Sequence, residues 1–417
     1  MIRRILAFVL IFLANIGLAR GQSVDQPPFI AQPNLAGKNG PILAEDAEAA
    51  EALEASGRPP RMWGRAEFLL WWLKAPNVPT LVTLGDFNDL PAPGALDAPG
   101  TTVLFGGDRI SYQDRAGGRF SAGYWLDDEQ RMSVEAGYFF LTGRTIARSA
   151  DSPGNPVLAT PFFNVNTGIQ DASLVTFPGI ASGSVTADTR SYLQGVDLSV
   201  AASLRPSERV RVAALAGFRW VNLNETIDIN STSLVQIAPQ FAGMGLPFDG
   251  NTIRVSDHFG IDNHFYGGQV GARVELTRKR FTLDLVGKVA IGVTHEVASV
   301  RGFTGIDTTP ATAVAAGLYA LSSNSGRHAS DVFAVVPETG ATLKFQLTER
   351  IGLFGGYSFI YWSRVARPGD QIDFNINTNL VPTSAAFGAG GVSQPAFHFR
   401  QTDFFAHGAN FGFEFRY

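Results

Sequence analysis

The sequence predicts an all-β fold: a transmembrane, antiparallel up-and-down β-barrel of about ten strands, or twelve if one long loop hides a hairpin. Three observations predict it. Many stretches alternate apolar and polar residues, the connections between them alternate short and long, and the last stretch ends in a row of aromatics. A period of two sends successive side chains to opposite faces of a strand. At the C-terminus, Ala409, Phe411, Phe413, Phe415 and Tyr417 share one face, while Asn410, Gly412, Glu414 and Arg416 share the other. Such an aromatic row would promote aggregation in water and is at home in lipid. Phe411, Phe413, Phe415 and Tyr417 are therefore read as part of a closing strand and as the signal for barrel assembly. The competing reading is an amphipathic terminal strand of a soluble sandwich.

Ten stretches read as strands, near residues 63–73, 118–125, 131–142, 186–204, 209–228, 254–276, 281–300, 331–347, 351–365 and 401–417. Short polar connections at 127–130, 205–208, 277–280 and 348–350 carry charges and turn formers. Long ones, about 74–115, 143–183, 230–253, 301–330 and 367–399, are rich in Gly, Pro, Ser, Thr and Asn. Strict alternation of this kind is the asymmetry of outer-membrane barrels, with tight periplasmic turns and long external loops. Both ends of the barrel then lie on the periplasmic side.

The faces can be read strand by strand. Phe281, Leu283, Leu285, Val289, Ile291 and Val293 oppose Asp284 and Lys288; Val210, Val212, Phe218 and Trp220 oppose Arg209, Arg211 and Arg219. Tyr266, Val270, Val274 and Leu276 oppose Arg273 and Glu275, and Leu343 and Phe345 oppose Lys344. Repeated charges at period-two positions inside apolar strands imply a polar interior. The candidates for lining it are Arg209, Arg211, Arg219, Arg273, Glu275, Asp284, Lys288 and Lys344, with Arg65, Glu67, Arg119, Glu135, Asp197, Glu338, Glu414 and Arg416 on the same faces. Trp71, Trp72, Tyr124, Trp125, Tyr138, Trp220, Tyr357, Tyr361 and Trp362 lie near strand ends, where interfacial girdles are expected.

Composition agrees. The chain holds 45 Gly, 32 Phe and only 17% charged residues, a balance that suits β structure in an apolar setting. A net charge of −4 supplies no basic field for nucleic acid, which is not expected as a partner. Residues 1–19 are expected to be a signal peptide, with Arg3 and Arg4 before an apolar run and small residues at its end. Residues 20–61 read as a Pro/Ala/acidic linker with a short helix at 45–56, and residues 62–417 as the barrel. The absence of Cys leaves no disulfide framework. No later apolar run has the length of a spanning helix, so membrane insertion must be as a closed barrel.

An ordered set of stretches carries a family resemblance: residues 66–72 (AEFLLWW), 99–107 (PGTTVLFGG), 118–126 (GRFSAGYWL), 155–164 (NPVLATPFFN) and 265–268 (FYGG), then 323–327 (SNSGR), 333–338 (FAVVPE), 361–373 (YWSRVARPGDQID) and 411–417 (FGFEFRY). In order and spacing these resemble the putative beta-barrel porin-7 family, from about Trp63 to the C-terminus. The resemblance implies an outer-membrane barrel with a porin role; the segment before residue 62 lies outside it.

Sites of other chemistry are weak. His258 and His264, beside Asp257 and Asp262, share one strand face about 20 Å apart if extended, too far for a zinc site that needs three or four converging ligands. There is no G-x-S-x-G element. Ser325, His328 and Asp331 sit in one local loop, and Pro368-Gly369 before Asp370 and Asp373 reads as a turn rather than a calcium loop. Neither an enzyme nor a cofactor is expected. Two functions follow: passage of small hydrophilic solutes along a charged lumen, or a closed barrel with a structural or surface-interaction role through its external loops. Ten strands lie near the size that side chains can close. Outer-membrane lipid and the barrel-insertion machinery are the expected partners.

Overall fold

The computed structural model describes residues 60–417 apart from Pro206, Glu208 and Gly245. The signal peptide expected at 1–19, and the linker as far as residue 59 with its helix at 45–56, lie outside the described residues.

Ten antiparallel strands form a closed barrel: β1 Met62–Leu73, β2 Asp114–Trp125, β3 Met132–Ser152, β4 Ala181–Arg205, β5 Val210–Val235, β6 Thr252–Arg278, β7 Phe281–Ile306, β8 Gly326–Gln346, β9 Ile351–Ala366 and β10 Gln401–Arg416. Each pairs with its neighbours in sequence. Closure comes from β1 on β10, in register from Trp63↔Arg416 to Leu73↔Ala406. The ends of the barrel are tied there, since the Arg61 and Met62 amides both donate to the Tyr417 carbonyl at 3.0 and 2.9 Å. The hairpin that a long connection does hold pairs outside the barrel wall, so the alternative of twelve strands is set aside.

The alternation places the faces as the sequence implies. Phe68, Phe120, Phe218, Val270, Ile291, Phe333, Leu343, Phe411 and Phe413 stand outward and uncovered by protein, and the residues between them turn inward. An apolar belt around a closed barrel is stable only in lipid. Among the described residues no helix is long and apolar enough to cross a membrane; the strands do so.

The wall is uneven. Strands β3 to β8 run 21 to 27 residues, whereas β9, β10, β1 and β2 run 12 to 16. About 9–11 residues span a bilayer, so the six long strands project well beyond it as a tall wall. Pairing of β2 with β3 stops at Gly117↔Leu141, and pairing of β9 with β8 stops at Glu338↔Ile360. Above those points the wall is open on both flanks.

Much of what reads as loop in the sequence is this wall. Residues 143–152, 181–183, 230–235, 301–306 and 326–330 are strand, not connection. Above the lipid the outer face no longer needs an apolar stripe, so the alternation that marks a membrane strand fades at these ends while the backbone ladder continues.

The low side is filled by folded loops. Strands at Asn375–Ile376, Val157–Asn164, Val82–Gly85 and Thr102–Phe105 pair in that order, with Ile169–Leu174 on Val157–Asn164. Three external connections thus build one small sheet. Its Val82, Phe105, Leu158 and Phe162 pack with Val185, Ile227, Ile229, Phe259 and Val300 from the inner face of the tall wall. These side chains are 4% exposed or less, an apolar core outside the membrane.

Candidate functional site

The interior is a stack of layers, and the lowest is ionic. Arg273 forks onto Glu135 at 2.7 and 2.8 Å and lies 3.9 Å from Asp284. Lys344 stands 3.3 Å from both Asp284 and Glu414 and 3.6 Å from Glu275. Lys288 meets Asp197 at 3.0 Å and Glu338 at 3.8 Å, and Arg219 is hydrogen-bonded to the same Glu338. Arg65 bridges Glu414 at 2.6 Å and Asp284 at 3.5 Å, while Arg119 lies between Glu67 and Glu338. The inward parity of each strand delivers these groups to one level, and opposite charges meet both on neighbouring strands, as Arg65 with Glu414, and across the lumen, as Arg273 with Glu135. Desolvated charges persist inside a protein only with such partners.

Seven of the eight charges proposed to line the lumen therefore belong to this region: Arg219, Arg273, Glu275, Asp284, Lys288 and Lys344 in the network, and Arg211 below it, its guanidinium 5.3 Å from the Trp125 ring centroid. Arg209 is the exception. It falls in the turn before β5 and is exposed, because the strand begins one residue later than expected. Small spaces of about 60 and 90 Å³ remain around Arg65 and Arg273.

Above the ions lies an aromatic and aliphatic plug. Leu69, Trp71, Phe139, Leu141, Leu193, Val221, Leu223, Phe265, Ile360, Trp362 and Phe404 form one inward cluster, none more than 5% exposed. Phe265 meets Trp362 edge-on with ring centroids 6.0 Å apart, and Trp71 lies 5.7 Å from Phe139. The Trp362 indole donates to Thr294 Oγ1 at 2.8 Å. This corrects the girdle. Trp71 and Trp362 are 1% exposed and point into the barrel, whereas Trp72 and Tyr357 point outward. Neighbouring residues of a strand face opposite ways, so only one member of each adjacent aromatic pair can reach lipid.

The next layer is polar and buried. Arg367, from the connection after β9, reaches back into the barrel and forks onto Glu225 at 2.7 and 2.8 Å, with a third bond to the Lys74 carbonyl at 2.9 Å. Both side chains are about 1% exposed. Arg115 donates to the Ser191 carbonyl at 2.8 Å. The expectation for residues 367–373 was a plain loop turn; Pro368–Gln371 is a short 3-10 turn that anchors the chain inside. Glu225 is not among the charges expected in the lumen, although it shares the inward parity of Arg219. Arg367 carries no such signal, because a loop arginine has no parity.

The uppermost feature is a hollow. A cavity of about 630 Å³ opens among the external connections, bounded by Leu90, Leu174, Phe177, Phe248, Ile229 and Val255. All five long connections and the inner faces of β4, β5 and β6 contribute to it. Its one ionisable lining residue is Asp257, already saturated. The carboxylate accepts from the amides of Leu318, Tyr319 and Ala320 at 3.0, 3.0 and 2.7 Å. Gly317 makes that approach feasible, since a Cβ there would lie 2.1 Å from Asp257 Oδ1. Nearby Tyr319 donates to the Pro161 carbonyl at 2.6 Å, and burial pushes its hydroxyl well above the ordinary tyrosine range.

The remaining candidates do not converge. His258 faces away from the lumen against Asp228 at 2.6 Å, and His264 lies 3.0 Å from Asp262. His328 bonds the Asn324 carbonyl and stacks on Phe397, and Asp331 instead meets His295 at 2.7 Å. Among the described residues no three potential metal ligands come together.

A closed ten-strand barrel with a lipid-facing apolar belt, short turns at one end and folded connections at the other is an outer-membrane β-barrel protein. The chain belongs to the family described as Putative beta barrel porin-7, whose model matches residues 63–417. No curated protein sequence matches it. Among solved structures it is similar to the outer membrane protease OmpT from Escherichia coli, at 7% identity over 86% of this chain and 97% of that one, with a TM-score of 0.43. It is also similar to a Pseudomonas aeruginosa FadL homologue, at 6% identity over 86% and 90% of the two chains, with a TM-score of 0.26.

Proposed function

We propose that this protein is a closed, non-catalytic outer-membrane barrel whose working part is its external module. The observation that supports the reading is the filled interior. Aromatic side chains meet across the lumen between an ionic layer below and a buried Arg367–Glu225 pair above. Passage of a hydrated solute would require the plug around Trp71, Phe265 and Trp362 to part. That would expose side chains whose burial is worth about 1.5–3 kcal/mol each.

The test is electrical. Folded protein in a planar lipid bilayer is expected to leave the membrane silent, with insertion verified by the heat-dependent shift of its gel mobility. Discrete conductance steps from the unmodified protein would overturn the closed reading. They would favour the second one, gated passage of small hydrophilic solutes, whose support is the charged lower layer and the spaces beside Arg65 and Arg273.

A further inference from the structure

We propose that the hollow among the external connections is a binding site for an uncharged, largely apolar small molecule. The inference rests on reading the external module as the working part and names what that module holds.

Size comes first. A volume of about 630 Å³ lies in the range of sites that enclose ligands of drug size. The surrounding layer is itself well packed, with Val175, Ile229 and Leu318 no more than 4% exposed. The hollow is thus an open one with a dense core beside it.

Lining chemistry sets the class of ligand. Leu174, Phe177, Phe241 and Phe248 supply the apolar surface, with the hydroxyls of Ser173 and Ser231 among them. An anion would find no lysine or arginine in the lining. A cation would find only Asp257, whose carboxylate is turned to three backbone amides. What suits such walls is a neutral molecule with an apolar body and one or two hydrogen-bonding groups.

Placement supplies a third argument. Sites are commonly carried by loops held on a rigid scaffold. Here the scaffold is the projecting wall of β4, β5 and β6, and segments from all five connections converge on one hollow. Ser233, on the same inner face, pins the Val175 carbonyl at 2.8 Å and so fixes one rim.

The experiment uses the full-length, detergent-folded protein and two probes: neutral N-phenyl-1-naphthylamine and anionic 8-anilinonaphthalene-1-sulfonate. Thermal unfolding is followed as each is titrated, beside the variant Ser231→Trp, which fills the hollow from β5. Uptake by detergent is common to both proteins and cancels in the comparison. The neutral probe is expected to raise the midpoint of the unmodified protein by several degrees and to saturate; in S231W the rise should vanish. Equal responses in the two proteins, or no response up to the solubility limit, would overturn the site. A saturable response to the anionic probe matching that of the neutral one would overturn the ligand class. Should S231W fail to fold, Ser173→Trp obstructs the same hollow from the connection after β3 and carries the same expectation. Conductance does not enter, so loss of this site and loss of the closed-barrel reading are separately visible.

Discussion

The lower and upper halves of the barrel solve one problem in different ways. Below, each strand fills the lumen with its own inward side chains, first paired ions and then an aromatic plug. Above, the strands outrun the membrane and the lumen is filled by connections folded back from the low side. The lower filling is local, since parity alone chooses which residues enter. The upper filling is imported, since segments far apart in the chain must meet. An interior packed by its own wall has little freedom; one packed by loops can keep a hollow.

Four perturbations would break or sharpen that contrast. The largest effect is expected at the joint between the halves, where Glu225→Ala strands the Arg367 guanidinium in a dry site. Breaking a buried pair on one side costs about 3–5 kcal/mol. Denaturant unfolding in detergent should show it, and E225A with Arg367→Met together should recover much of the loss. Next is Trp362→Ala in the plug, expected to cost roughly 3–5 kcal/mol, because small neighbours in the same cluster such as Ala334 let the cavity collapse little. If the barrel midpoint is unmoved, the plug is not packed as described.

Leu158→Ala tests the imported core and should cost about 2–4 kcal/mol. Limited proteolysis of the external connections should report it before the barrel itself unfolds, if the two halves are energetically separate. Simultaneous loss of both would show them to be one cooperative unit. Smallest is Ser233→Ala, which removes one hydrogen bond worth about 0.5–1.5 kcal/mol and should loosen the Val175 rim without changing the barrel. An assembly test stands beside these four. Phe415→Asp places a charge on the lipid face of the closing strand, and a clear drop in outer-membrane insertion is expected; full insertion would remove the terminal aromatics from the assembly signal.

How far the sequence reaches follows the same division. Ten strands, their order and the faces of Phe281, Leu343 or Phe411 were readable because alternation is a local property. The ionic layer was readable for the same reason, and its charges appear on one face of each strand. Trp71 and Trp362 were misplaced because each sits beside another aromatic, which makes both faces look suited to lipid. The inner plug had a signal, a run of apolar residues on both faces at 69–72 and 220–221, that a lipid-facing count overlooks. The external sheet had none. Pairing Asn375–Ile376 with Val157–Asn164 depends on chain closure across more than half the protein, which no local pattern encodes.

The seam between β1 and β10 has a temporal meaning. The first strand cannot find its second neighbour until the last strand of the barrel has been made, and the Tyr417 carbonyl that receives Arg61 and Met62 arrives with it. Until then the hairpins form an open sheet with two raw edges, the state most prone to wrong pairing. Closure therefore waits for β10, and the free edge of β1 is the one that stays unpaired longest.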